Sequence, residues 1–213
     1  MSFTGVPFVI FFAIVLATYH AAGKMRLPDS VQWGWLVAAS LFFYGYETPS
    51  LLWLLSFSIL FNSLAGWFIA RRVISNGSIS RWFMAGALGV NLLLIVSFKY
   101  AGLLGSLLLP ADVPWATRLH SQLTSIPLPI GISFYTFHAI SFLVDLSRAG
   151  TKEPALTPFC KELAETSPLR GLGKVALYIT FFPQLIAGPI MKARAFLPQI
   201  GPNRAYGIHW QRA

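Results

Sequence analysis

Four side chains that can carry charge or several hydrogen bonds stand inside or at the edge of apolar runs: Lys99, His138, Asp145 and Gln184. Ionisable groups in such places are functional hypotheses by default, and each also has a plain structural reading. His138 follows Tyr135 by one helical turn, which suits a packing histidine bonded to a neighbouring helix. Tyr135 suits packing with its hydroxyl on a polar partner. Asp145 and Arg148, three residues apart, can pair locally. Lys99 can bury its stem and extend its ammonium to water. Asn62 and Asn91 read as hydrogen-bonding links between helices. Gln184 lies in the run TFFPQLIAGPI, which holds Pro183 and Pro189. Each proline removes a backbone N–H and clashes with the preceding turn, so the run predicts a broken helix. A break frees carbonyls and N–H groups, and a glutamine can satisfy both kinds.

Composition says where these residues sit. The chain has 213 residues, 55% hydrophobic and 11% charged, whereas soluble domains are nearer a quarter charged. This predicts a membrane protein. The net charge of +9 follows from Lys and Arg in loops on one side of a bilayer. No basic stripe interleaved with aromatics points to nucleic acid. The single cysteine, Cys160, builds neither an internal disulfide nor a cysteine-based metal centre. No metal site is read anywhere in the chain.

About 20 apolar residues span a bilayer core of about 30 Å. Five to six segments are read on this basis: 3–22, 31–46, 49–70, 82–109, 126–144 and 175–191. The fourth is either one tilted helix or a span plus a half-helix. Residues 110–125 read as an interfacial loop. Residues 157–171 read as a short helix on the membrane surface, ended by Pro168 and Gly171. The expected fold is all-α: one multi-pass domain over 1–213 with a re-entrant or broken helix and short interfacial helices. The first apolar run lacks a basic segment before it and has Lys24 and Arg26 after it, which predicts a retained span with its amino end outside. Arg71, Arg72 and Arg81 then place the third loop inside. Full crossing by 175–191 would put Lys192 and Arg194 outside. A segment broken at Pro183 and returning at Gly188–Pro189 keeps them inside. Such a backbone is tolerated at membrane depth only within protein or beside a wet cavity.

Three stretches read together: LLLIVSFKYAGLL (92–104), PLPIGISFYTFHAISFLVDLSRAG (127–150) and LYITFFPQLIAGPIMKARAFLPQI (177–200). They resemble the membrane-bound O-acyltransferase family. The likeness is to its bacterial branch of alginate O-acetyltransferases and teichoic-acid D-alanyl transfer proteins, and it is strong after Leu92 and weaker before it. The resemblance implies a ring of spans around a funnel. It also implies acyl transfer from a cytoplasmic donor, acetyl-CoA or an acyl-carrier protein, to an exported polysaccharide, a cell-envelope glycan or a periplasmic acyl-transfer partner protein. The expected location is the bacterial inner membrane, with no bound cofactor.

On that reading Tyr135, His138, Gln184, Gly188 and Pro189 are candidates to line the substrate tunnel, while Lys99, Asp145 and Arg148 are structural or polar candidates. The family's essential histidine belongs to a basic Trp-His motif. None of His20, His120, His138 or His209 stands in that context. The expectation is therefore an amino-terminal part of a longer enzyme, with no catalytic residue in these 213. A transporter, which would predict an inverted repeat, and a non-catalytic multi-pass subunit are the rival readings.

Overall fold

The computed structural model describes residues 5–47, 49–108, 113–124, 131–149, 154–166, 168–187 and 191–200. These are helical with short connections, and no strand occurs among them. The first helix, α1 (Val6–Lys24), starts with Pro7 in its first turn, where the missing N–H has no helical partner to lose. The second, α2 (Asp29–Glu47), has Asp29 in its first turn, beside the positive end of the helix dipole. A 3-10 turn, Pro49–Leu51, leads into α3 (Leu52–Asn76). Gly77 ends α3 in the left-handed conformation, φ 71°, and its N–H donates to the Val73 carbonyl at 2.9 Å. Glycine tolerates that conformation without a Cβ clash.

Next come α4 (Arg81–Lys99) and α5 (Ala101–Leu108). The run 82–109 is thus a span plus a half-helix, broken at Tyr100. Residues 114–124, read as part of a loop, form the helix α6 (Pro114–Thr124). Pro114 signals a loop when read alone, yet it occupies the first helical position. Gly131, at φ 72°, opens α7 (Ile132–Ser147). After a 3-10 turn, Pro154–Leu156, comes α8 (Thr157–Glu165). It stops short of Pro168, which was expected to end it. Pro168 instead opens α9 (Pro168–Thr180). Two short helices follow, α10 (Phe182–Ala187) and α11 (Ala193–Phe196), then a 3-10 turn, Leu197–Ile200.

Among the described residues, three helices are long and apolar enough to cross a membrane: α1, α3 with its leading turn, and α4. Helix α7 is apolar but has 16 residues, about 24 Å at 1.5 Å per residue. Half of the apolar window of α3 is buried, against 6% for α1 and 11% for α4. The core is therefore built on α3, which packs against α7, α8 and α9. Small residues allow the close approach. A Cβ on Gly66 of α3 would lie 2.5 Å from the Phe142 ring of α7. Helix α8, expected on the membrane surface, buries Phe159, Cys160 and Leu163 in this core.

Asn62 of α3 and Asn91 of α4 exchange two hydrogen bonds, at 3.0 and 2.9 Å, and both side chains are fully buried. Each also donates to a carbonyl one turn back in its own helix. The two asparagines satisfy one another where water is absent, as a polar link between helices must.

Candidate functional site

The broken helix organises the region around α7. Helix α9 stops at Thr180, three residues before Pro183. A proline ring clashes with the carbonyl four residues earlier, here that of Ile179, so α9 cannot run on through it. Pro183 instead takes the first turn of α10. The expected break at Pro183 thus falls at Phe181. The Phe182 N–H donates to the Ser40 hydroxyl of α2 at 3.3 Å, and that hydroxyl donates to the Leu36 carbonyl at 2.8 Å. The Phe182 ring is held by Phe11 and Phe12 of α1 and Phe43 of α2, at centroid distances of 5.3, 6.1 and 5.7 Å. Ser40, not Gln184, serves the N–H at the break.

The chain then reverses. The Tyr178 hydroxyl donates to the Met191 carbonyl at 2.8 Å, thirteen residues on. A continuous helix would separate those residues by about 20 Å. Phe196 of α11 packs on Tyr178 and Phe181, at 5.6 and 5.4 Å between ring centres. After α10 the chain has doubled back, with Met191 and Phe196 beside α9.

Against this reversal α7 presents Tyr135 and His138, one turn apart and both buried. The Tyr135 ring meets Tyr44 of α2 edge-on at 6.5 Å, and the His138 ring meets Tyr178 of α9 edge-on at 5.3 Å. Neither His138 nitrogen has a hydrogen-bond partner among the described residues, nor has the buried Oε1 of Gln184. The interhelical bond expected of a packing histidine is not made. A buried polar atom left unmatched costs roughly 1–3 kcal/mol, so such atoms need an explanation. The arrangement offers hydrogen-bond donors and acceptors in a low-dielectric interior, and no carboxylate among the described residues is hydrogen-bonded to His138.

The other sequence candidates fall elsewhere. Lys99 is exposed at the end of α4, over the Tyr100 ring at 5.4 Å and 3.5 Å from the Ser133 hydroxyl. Asp145 is buried in the last turn of α7, and the backbone N–H of the exposed Arg148 donates to its carbonyl at 3.1 Å. Gly188 and Pro189 lie outside the described residues. Residues 109–112, 125–130 and 201–213 of the predicted segments lie outside them as well.

Lys174 escaped the sequence reading. It is 5% exposed on α9 and holds both Glu162 carboxylate oxygens of α8, at 2.5 and 2.6 Å. Its ammonium also lies 4.6 Å from the centre of the Trp33 indole of α2. Glu162 is half exposed, so this pair marks a rim of the core, where α8 closes on α9. Its only sequence signal is a lysine one residue ahead of an apolar run. Burial pushes the nearby Cys160 thiol up to about 11, which makes it a packing residue and not a nucleophile.

Known proteins carry this pattern. A probable alginate O-acetylase of Pseudomonas putida is 29% identical over 199 residues, covering 93% of this chain and 36% of its own length. A peptidoglycan O-acetyltransferase of Helicobacter pylori is 32% identical over 180 residues, 78% of this chain and 32% of its own. A probable alginate O-acetylase of Pseudomonas aeruginosa is 29% identical over 190 residues, 89% and 32% respectively. The chain spans about a third of the length of these curated relatives. No family model and no solved structure matches it. The likeness runs through α7 and the broken α9–α10 segment as well as the preceding helices, and on it the chain belongs to the membrane-bound O-acyltransferase family.

Proposed function

We propose that the chain is part of an inner-membrane O-acyltransferase that moves an acetyl group from a thioester donor to a glycan hydroxyl. One observation carries the reading: relatives named for two different glycans, alginate and peptidoglycan, match the same helices. What they share in name is O-acetyl transfer. The donor on this reading is acetyl-CoA or an acyl-carrier protein. The acceptor is an exported polysaccharide, a cell-envelope glycan or a periplasmic partner protein that passes the group on.

In the reaction the acceptor oxygen attacks the thioester carbonyl carbon. The C–S bond breaks, and the hydroxyl proton passes through a general base to the leaving thiolate. No described residue is set up as that base, and on this reading the catalytic histidine lies outside these 213 residues. The His138 ring would hold a carbonyl or hydroxyl oxygen along the path and the Gln184 Oε1 would accept from a hydroxyl, with Tyr135, Gly188 and Pro189 as further lining residues on this reading. Such positioning takes over part of the entropy cost of bringing two substrates together.

The test uses the full-length protein in membranes, with radiolabelled acetyl-CoA and alginate, peptidoglycan or teichoic-acid acceptors. Alkali-labile label on one of the glycans is the expected result. Absence of label in every arm, with the protein folded, overturns the reading. Orientation is tested separately: single cysteines at Ser78 and Gln122 should label from opposite faces, Ser78 from the cytoplasm.

A further inference from the structure

The face between α3 and α4 is not closed along its whole length. Between the asparagine link and the basic ends of the two helices lies an open groove of about 630 Å³, within the range of small-molecule sites. Its walls include Phe61, Leu64 and Phe68 of α3 and Phe83 and Val90 of α4, with Gly86 on the α4 side. A Cβ on Gly86 would meet nothing within 4 Å. At the mouth, Arg71 lies over the Trp67 ring at 4.8 Å and Arg72 over the Phe68 ring at 5.3 Å; both rings also line the groove. Arg81 opens α4 at the same end. The segment RRVISNGSISR contains no acidic residue, and none of these arginines makes an ion pair among the described residues.

We propose that the α3–α4 groove binds one anionic phospholipid, with an acyl chain against Phe61, Leu64 and Phe83 and the headgroup phosphate on Arg71 and Arg72. The inference is independent of the acyl-transfer reading. The charge pattern selects the occupant: an apolar slot accepts a hydrocarbon chain, and guanidinium groups at its mouth add attraction for a phosphate. The aromatic rings under the guanidinium groups hold the cations at the rim. A hydrophobic helix from elsewhere would fill the slot but leave two charges unanswered.

Native mass spectrometry of the full-length protein, delipidated and reloaded with phosphatidylglycerol or phosphatidylcholine of the same acyl composition, tests this. Wild type should retain phosphatidylglycerol in preference to phosphatidylcholine. The double variant Arg71→Gln/Arg72→Gln should lose that preference by about 30-fold, from two basic groups near a lipid surface. Arg71→Lys/Arg72→Lys should keep most of it. Gly86→Leu fills the slot and should lower retention of both lipids. Gly89→Leu also enters open space, but Gly89 does not line the groove, and this variant should bind as wild type does. Equal retention of the two lipids by wild type overturns the proposal. So does full phosphatidylglycerol retention in the arginine-to-glutamine variant, or no lipid retained at all, as when further polypeptide covers the groove.

Discussion

Asn62 and Asn91 of the α3–α4 pair, and His138 and Gln184 of the α7–α9–α10 region, are buried at comparable depth and are treated in opposite ways. In the first, Asn62 and Asn91 answer each other twice and answer their own helices as well. In the second, His138 and the Oε1 of Gln184 have no hydrogen-bond partner among the described residues, beside a helix that breaks and reverses. The break itself is not loose, since Ser40 takes the Phe182 N–H and three phenylalanines, Phe11, Phe12 and Phe43, clamp the Phe182 ring. On the proposed reading, the first kind of polar group holds the helices together and the second is available to a substrate.

The largest expected effect falls on the packing shared by both regions. Gly66→Leu drives bulk into the Phe142 ring and should cost about 3 kcal/mol or more, the upper range for an overpacked core. Membrane abundance and melting temperature in mild detergent measure it. Asn62→Leu should cost about 1–2 kcal/mol, because Asn91 is then buried without its partner. Asn62→Leu/Asn91→Leu should recover part of that loss, and acetylation per folded molecule should not change. Ser40→Ala strips the acceptor from the Phe182 N–H and should cost about 1 kcal/mol. Faster hydrogen exchange at Phe182 is the specific readout.

Cys160 marks the quiet end of the scale. Its thiol is raised to about 11 from an ordinary 9.0, so maleimide at neutral pH should leave it unlabelled until the protein unfolds. The folded state holds this proton more tightly than the unfolded one. The contribution to stability is therefore complete below pH 9 and is lost as pH rises towards 11. Cys160→Ala should flatten the fall in melting temperature over that window. Fast labelling of the folded protein at pH 7 would show that α8 does not close on α3 as described.

Much of this architecture was legible in the residues. An asparagine inside an apolar run must find a partner, which made Asn62 and Asn91 readable as links between helices; that they answer each other was not legible from either run alone. Pro183 and Pro189 within eleven uncharged residues made the broken helix readable, though the break fell at Phe181 because a proline is harmless in a first turn. The same property hid two other helices: Pro114 and Pro168 read as interruptions and prove to be starting points. Ser40 gave no signal, since a serine in a helix ordinarily bonds back to its own backbone, as Ser40 also does. Lys174 stayed hidden because its partners, Glu162 and Trp33, come from two other helices, and no local pattern joins the three.

The central claim is that His138 and Gln184 serve a substrate and not the fold. It is tested by measuring stability and glycan acetylation together for His138→Phe and Gln184→Leu in the full-length protein. No hydrogen bond of the His138 ring or of the Gln184 Oε1 to a described residue is lost in these variants, so stability should hold or rise, by up to about 1–3 kcal/mol as the cost of an unmatched buried polar atom is removed. Acetylation per folded molecule should fall about tenfold or more, the loss that follows when about 1.4 kcal/mol of positioning is removed. If both variants acetylate as wild type does, or if they lose stability to the extent of Asn62→Leu while turnover per folded molecule holds, these side chains are links between helices and the account is wrong.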